Sequence, residues 1–224
     1  CYIRQGRYHE TITIDDLDGS SGSAIVFTNY NNERVVVDGT TPITSTWTRV
    51  GSTDIWKTKL SADIWQLFIN WEEQVMARWP NAKFSDDTVW DNDNYWAKGT
   101  IDDDENAYTN GTIIDDPYTN SAGTTIDLNA TGFDLDETNK QAIAILNLGS
   151  FRTWSRLVTN HSGSTFNYAT VPNWKTKHHY YYLEGRKEFL DQEGEWWYDT
   201  YNNADSLYYY AANGVNPNLS LIHI

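Results

Sequence analysis

Short apolar segments separated by polar turns are the main pattern of the N-terminal part of the chain. Residues 11–14, Thr-Ile-Thr-Ile, alternate between polar and apolar positions, which is typical of a half-buried strand. Residues 24–27 and 35–37 are continuous apolar runs, and such runs predict strands buried on both faces, as in a parallel sheet. Apolar strand positions recur at roughly twenty-residue intervals, with connections too short and polar for crossover helices. The pattern therefore predicts stacked coils of parallel strands.

A different pattern follows Trp47. Residues 65–69 and 74–79 flank a short polar segment, which predicts an antiparallel hairpin. Trp71 stands at a position of this turn where glycine is favoured. The remaining predicted elements are strands at 112–114, 124–128, 142–146 and 178–183, a short helix at 186–190, and a second hairpin formed by 195–198 and 206–210.

These elements divide the chain into three predicted parts. Residues 1–84 contain the parallel coils and the first hairpin, and residues 85–218 form an antiparallel β-domain. Residues 219–224 follow a polar loop and match no earlier pattern, so we expect a non-native tail. The chain has no initiator Met and no signal peptide, and we expect a fragment of a longer protein. Its single cysteine, Cys1, permits no internal disulfide and does not indicate a redox compartment.

Composition argues against several classes of function. The 224 residues include 16 Lys and Arg against 31 Asp and Glu, a formal net charge of −15. This acidity argues against a nucleic-acid partner and against an anionic membrane surface. No apolar run approaches the ~20 residues that a membrane span requires. Aromatic residues make up 15% of the chain, which excludes disorder and exceeds what a core of this size needs.

Three aromatic triplets, at 180–182, 196–198 and 208–210, have two possible roles. Neighbouring residues of a strand point to opposite faces, so the members of a triplet cannot all enter one core. In one interpretation, one face fills the β-domain and the other packs on the parallel coils. In the other, the outer rings form a platform for the faces of sugar rings. We favour the packing interpretation.

The order of these segments resembles that of right-handed parallel β-helix proteins, which are pectate-lyase-like. Residues 3–10 and 37–40 resemble the first coils of such proteins. The more specific segments are 63–68, 77–82, 183–185 and 189–199. Together they resemble β-helix glycoside hydrolases, xylosidase-like and fucosidase- or xylanase-like, in which a β-sandwich-type region interrupts the helix. The resemblance implies an all-β fold, with the first coils of a right-handed parallel β-helix followed by an inserted antiparallel β-sandwich-like region.

The same resemblance implies a function. It indicates the N-terminal fragment of a secreted polysaccharide-active enzyme, extracellular or periplasmic and most simply a glycoside hydrolase. The catalytic carboxylates of such enzymes lie on later coils, so this fragment is expected to be inactive alone. Arg78, Trp79 and Asn81 are implied as substrate-binding residues at the rim of the site, with a polysaccharide or oligosaccharide as partner. Two alternatives remain open: a polysaccharide lyase fragment, and a non-catalytic carbohydrate-binding or adhesive β-helix protein.

No catalytic pair can be named from the residues themselves. Glycoside hydrolysis needs two carboxyl groups about 5–5.5 Å apart, or roughly 6.5–9.5 Å apart in inverting enzymes. Glu72 and Glu73 are adjacent on a predicted strand and point to opposite faces, so they are poorly placed to act on one sugar. We interpret such pairs, including Glu193 with Glu195, as solvated surface.

The metal-binding candidates are also few. Residues 91–94 and 102–105 are rich in the oxygen ligands that calcium prefers, but neither has the spacing of a calcium-binding loop. The rings of the adjacent histidines 178–179 diverge on a strand, and His9 and His161 have no partners at zinc-ligand spacing. No cofactor is predicted, with calcium as the one metal left open.

Overall fold

The computed structural model of the protein describes residues 1–100, 111–138, 140–149, 152–171, 180–200 and 204–224. It confirms the predicted all-β class. The strands are β1 (Tyr2–Ile3), β2 (Gly6–His9), β3 (Thr28–Asn29), β4 (Val35–Asp38), β5 (Thr48–Arg49), β6 (Ile55–Lys59), β7 (Leu67–Ile69), β8 (Glu72–Met76), β9 (Arg78–Trp79), β10 (Ala97–Thr100), β11 (Thr112–Asp115), β12 (Tyr118–Thr119), β13 (Thr125–Ile126), β14 (Ile143–Gly149), β15 (Arg152–Ser162), β16 (Thr165–Tyr168), β17 (Tyr180–Glu184), β18 (Glu195–Asp199), β19 (Ser206–Tyr210) and β20 (Ile222–His223).

The helices are short. Within the described residues, one α-helix, α1, covers Asn92–Tyr95, and 3-10 helices cover Thr88–Trp90, Leu128–Thr131, Lys187–Phe189, Ala212–Gly214 and Pro217–Leu219. The turn at Lys187–Phe189 lies within the predicted helix at 186–190. In the part of the chain that the structure describes, no helix has the length and apolar character needed to cross a membrane.

Six antiparallel strands close into a barrel in the order β10-β11-β16-β15-β14-β17. Closure occurs because β17 pairs along one edge with β14 and along the other with β10 and then β9. The sequence predicts a sandwich-like region here, and the structure differs because β10 reaches both β11 and β17. Gly99 permits this approach, since a Cβ there would lie 2.5 Å from Cγ2 of Ile113. Fully buried side chains fill the barrel interior, among them Ile113, Ala144, Leu146, Phe166, Tyr181 and Leu183.

A second sheet has the order β20-β7-β8-β18-β19-β6-β5. Both predicted hairpins are confirmed in it: β7 pairs with β8, and β18 pairs with β19. A parallel pairing of β8 with β18, in which Val75 faces Glu195, joins the two hairpins. The sheet has its own core around Leu67, Trp196 and Leu207. Its pairings cross residue 84, so strands from both sides of the predicted domain boundary share one sheet.

Residues 1–38 form two short parallel pairs. β1 pairs with β3, Tyr2 opposite Thr28, and β2 pairs with β4, Gly6 opposite Val35. The strands predicted at 11–14 and 24–27 are absent, and Ile12, Ile14, Ile25, Val26 and Phe27 are all exposed. Extended apolar segments are held as strands by a partner strand and by burial. Here the side chains are exposed, and within the part of the chain that the structure describes residues 24–27 have a single hydrogen bond from the Cys1 amino group to the Val26 carbonyl oxygen in place of a ladder. A parallel β-helix is therefore not shown.

Residues 219–224 join the second sheet in this structure. β20 pairs with β7, and the main chains of Thr41 and Ile224 exchange two hydrogen bonds. Ile222 and His223 are buried. The expectation that this segment is a non-native tail stays a prediction.

The turn between β7 and β8 has left-handed backbone at both central residues. Asn70 has φ 51° and Trp71 has φ 73°, the conformation of a two-residue type I′ hairpin turn. Glycine adopts this conformation readily, whereas a side chain in it costs about 1–2 kcal/mol. The Trp71 ring makes compensating contacts, with the Arg7 guanidinium 3.5 Å from its centre and the His223 ring stacked 4.2 Å away.

We expect Trp71→Gly to be more stable than Trp71→Ala by about 1 kcal/mol, because both remove the ring but only glycine removes the backbone strain. Urea unfolding of the two variants measures this difference. Glu72→Gly and Glu72→Ala provide the matched control, since Glu72 is in an extended strand where alanine should be the more stable residue. A Trp71→Ala variant as stable as Trp71→Gly would contradict the left-handed turn.

Candidate functional site

A cleft of about 540 Å³ lies between the barrel and the second sheet. Two tryptophans at its border are strongly exposed: Trp65 at 87% and Trp90 at 74%. We call it the tryptophan cleft, and its principal lining residues are Asp63, Trp65, Glu73, Arg78, Trp90, Trp96, Tyr182, Glu184 and Tyr198. It therefore combines exposed aromatic faces with carboxyl groups.

Strand β17 positions two of these side chains. Tyr181 and Leu183 are fully buried in the barrel core, so the alternate residues Tyr182 and Glu184 lie on the outer face, toward the cleft. The triplet at 180–182 thus divides between two faces, as its alternation predicts. Trp197 packs on the barrel core instead.

Other triplet members pack in the second sheet. Trp196 and Tyr209 are buried in its core, and the Trp196 indole N–H donates to the carbonyl oxygen of Gln74 at 3.0 Å. Burial in a core is therefore confirmed for Tyr181, Trp196, Trp197 and Tyr209, but in the barrel and the second sheet and not against parallel coils, whereas Tyr182 reaches the cleft.

Arg78 forms an internal wall of the cleft. Only 3% of the residue is exposed, and its guanidinium lies 3.7 Å from the centre of the Tyr182 ring. Nε donates to the carbonyl oxygen of Pro80 at 2.9 Å, and Nη2 donates to that of Tyr95 at 2.8 Å. Burial lowers the pKa of Arg78 to about 10. Because its donors hold the ends of segment 80–95, Arg78 positions the wall that carries Trp90.

The other two residues implied by the resemblance lie elsewhere. Trp79 packs against the barrel core, its ring centre 6.2 Å from that of Tyr181. Asn81 donates from Nδ2 to Oδ1 of Asp191 at 2.8 Å. Of the three residues Arg78, Trp79 and Asn81, Arg78 alone is among those that line the tryptophan cleft.

Among the carboxyl groups that line the cleft, Glu184 has a pKa that is clearly raised. It faces Arg78 across the β9–β17 pair. Burial raises its pKa to about 7, although the Arg78 charge opposes that rise. A carboxyl group with a pKa near neutrality can either accept or donate a proton under ordinary conditions, which is a requirement of general acid–base groups.

Glu195 lies fully buried at the start of β18. Its Oε2 accepts the backbone N–H groups of Asp191 and Gln192 at 3.1 and 3.0 Å. Oε1 has no hydrogen-bond partner among the described residues. Burial raises the pKa of Glu195 to about 8, so this side chain is largely protonated at neutral pH. The interpretation of Glu193 and Glu195 as solvated surface is therefore wrong for Glu195.

In the calcium candidate at residues 91–94, carboxylate oxygens already accept hydrogen bonds from other protein groups. The Asp91 carboxylate accepts the backbone and side-chain N–H groups of Asn94, which caps α1. Oδ1 of Asp93 accepts the Tyr180 hydroxyl at 3.0 Å. Within the described ranges, no three His, Cys, Asp or Glu side chains are grouped to hold a metal ion. The candidates at 102–105 and 178–179 lie outside those ranges.

The remaining histidine candidates have protein partners. The ring of His9 stacks on that of His223, with centres 5.6 Å apart, and Nδ1 of His161 accepts the backbone N–H of Leu135 at 3.5 Å. Sequence reasoning did not identify Trp65, Trp90 or Glu184 as site residues. The signal for Trp90 is its isolation within a segment rich in Asp and Asn, where no apolar periodicity requires a buried ring.

Comparison with known proteins shows a fold likeness. No family model matches the sequence, and no curated protein matches it. A solved structure described as "Glycoside hydrolase" matches the whole of this chain, with a TM-score of 0.65 and 18% sequence identity. The chain covers 38% of the length of that protein. At this identity the likeness shows a shared fold.

Proposed function

We propose that this chain is the carbohydrate-binding β-region of a polysaccharide-active, glycoside hydrolase-like protein. The observation that carries the proposal is the pair of exposed tryptophans, Trp65 and Trp90, at the border of a cleft lined by carboxyl groups. The complete protein is proposed to be a secreted right-handed parallel β-helix enzyme with its catalytic residues on other coils. The short parallel pairs at residues 1–38 are the observation behind the parallel coils of this proposal, and the fold likeness supports only its glycoside hydrolase-like class.

Exposed tryptophans suit a sugar ligand for a physical reason. The C–H groups on the face of a sugar ring are apolar, and a large aromatic face buries them, while hydroxyl groups at the ring edge need hydrogen-bond partners. Asp63, Glu73 and Glu184 provide such partners in the tryptophan cleft. Large exposed aromatic surfaces otherwise carry a cost in solubility, which favours a functional interpretation here.

The charge of the cleft favours neutral glycans. Among the described residues that line it, the one guanidinium is that of Arg78, which is buried and donates to backbone carbonyl oxygens. The carboxyl groups would repel the carboxylates of uronic acids. This arrangement supports a glycoside hydrolase-like protein over a polysaccharide lyase that acts on polyanions.

We expect Trp65→Ala and Trp90→Ala each to weaken binding of a neutral polysaccharide about five- to tenfold, because each removes one stacking face. Affinity electrophoresis and isothermal titration calorimetry with soluble xylan, β-glucan and polygalacturonate measure the effect. Tyr2→Ala is the matched control, since Tyr2 is equally exposed and does not line the tryptophan cleft. Binding that both tryptophan variants retain in full, or preferential binding of polygalacturonate, would contradict the proposal.

A further inference from the structure

A second cleft adjoins the tryptophan cleft. It also measures about 540 Å³, and its distinctive lining residues are Glu72, Lys83, Ser85, Glu193 and Asn213. We call it the glutamate cleft. Four residues line both clefts: Glu73, Gln74, Val75 and Phe84. The two clefts therefore meet along strand β8 and the Phe84 side chain.

The apolar part of the shared wall, Val75 and Phe84, is fixed in place. Val75 and Phe84 pack in one small core with Val89. The Phe84 ring lies edge-on to Trp90, with centres 6.1 Å apart, so aromatic surface continues from one cleft toward the other. Strand β8 is paired on both edges, with β7 and with β18. Because these residues are already held in place, a ligand that crosses the wall would not pay the entropy cost of ordering them.

Polar groups are available on the far side of this wall. Oε2 of Glu193 accepts the backbone N–H of Asn213 at 3.1 Å, which fixes the carboxylate at the edge of the glutamate cleft. Lys83 and Glu72 add a donor and an acceptor to the same lining. The glutamate cleft thus offers hydrogen-bonding groups beside the apolar surface of Val75 and Phe84.

We propose that the two clefts form one groove, and that its ligand is an extended neutral oligosaccharide chain that crosses Phe84 and fills both. The proposal rests on the carbohydrate-binding function proposed above. A cleft of this volume is of the size that holds one compact ligand, so two adjoining clefts select a chain longer than either can hold. The groove thus recognises the interior of a polymer and not a single terminal sugar.

The test is calorimetric titration with xylo-oligosaccharides and cello-oligosaccharides of two to six residues. For the unmodified protein, we expect affinity to rise by about tenfold or more between the shortest and the longest member of the series that binds. The double variant Lys83→Ala/Ser85→Leu alters residues that line the glutamate cleft alone. It should lose most of that gain while it keeps the affinity for the disaccharide. Trp90→Ala should instead weaken binding at every length.

The outcomes separate the two proposals. Binding whose affinity does not change with chain length overturns the extended groove and leaves the carbohydrate-binding function in place. A double variant with unchanged affinity for the hexasaccharide also overturns the groove. No binding at any length to either series counts against the proposed function itself. If the double variant does not fold, the dependence of affinity on chain length in the unmodified protein still tests whether the groove binds an extended chain.

Discussion

Replacement of Glu195 by glutamine should remove about half of the decrease in stability that we expect between pH 5 and pH 9. Burial raises the pKa of Glu195 to about 8, whereas an unfolded glutamic acid titrates near ~4.3. Between these values the folded chain keeps a proton that the unfolded chain has lost. Stability is therefore complete at pH values below the unfolded pKa and falls as the pH rises toward 8. The expected loss is on the order of a few kcal/mol.

Urea unfolding at pH 5, 7 and 9 measures this decrease. Glu184, with a pKa of about 7, and Asp115, with a pKa of about 6, contribute in the same direction, so the glutamine variant should retain a smaller slope. Carboxyl groups whose pKa is lowered, such as those of Glu33 and Asp38, act at more acidic pH and do not enter this range. Glu72→Gln, at an exposed site on the neighbouring strand, should leave the slope unchanged. Stability that is constant or rises from pH 5 to pH 9 would contradict the buried, protonated carboxyl group.

Arg78→Ala should destabilise the protein by about 3–4 kcal/mol and also weaken oligosaccharide binding. The variant leaves the carbonyl oxygens of Pro80 and Tyr95 without their donors at a buried position, where Arg78 itself is only 3% exposed, and each such loss costs about 1–3 kcal/mol. It also releases both ends of the segment that carries Trp90. Arg78→Lys should give an intermediate stability, because an ammonium group cannot reproduce the two directed bonds of the guanidinium.

Arg156→Ala is the matched control for this prediction. Arg156 also donates to two backbone carbonyl oxygens, those of Ala169 and Ser155, but these bonds are exposed. We expect its replacement to cost less than about 1 kcal/mol, since water can replace the lost donors. Thermal melts and oligosaccharide titration of the three variants provide the measurements. An Arg78→Ala variant as stable as Arg156→Ala would show that the segment does not depend on the guanidinium.

Local sequence patterns predict where the strands of this protein lie better than they predict which strands pair with each other. The hairpin around Asn70 and the second hairpin, Glu195–Tyr210, follow from short alternating segments separated by a polar turn. The pairing of Val75 with Glu195 and the barrel closure at Gly99 join segments far apart in sequence, which a local pattern does not encode. The strands predicted at 11–14 and 24–27 fail for a related reason. An apolar run indicates burial, but it does not supply the surface that buries it.

The candidate site was less predictable than the fold. The resemblance implies Arg78 as a substrate-binding residue, which stays a prediction; the structure places Arg78 in the cleft wall with its donors on backbone carbonyl oxygens. Trp65 and Trp90 have no periodic partners, so their exposure together appears only once the chain has folded. Glu184 is one of many acidic residues in the sequence. Its distinctive titration comes from burial at the border of the barrel and the second sheet, a property of the assembled structure and not of its neighbours along the chain.

The parallel pairing of β8 with β18 has a consequence for the order of folding. All six barrel strands, from Ala97 to Glu184, lie between these two partners in the sequence. During synthesis the barrel can be completed before β18 has left the ribosome, when β8 does not yet have this partner. Closing so long a loop is slow unless the intervening chain is already compact, and a folded barrel shortens the distance that must be closed. We therefore expect the tryptophan cleft to be assembled last, when β18 docks against a finished barrel.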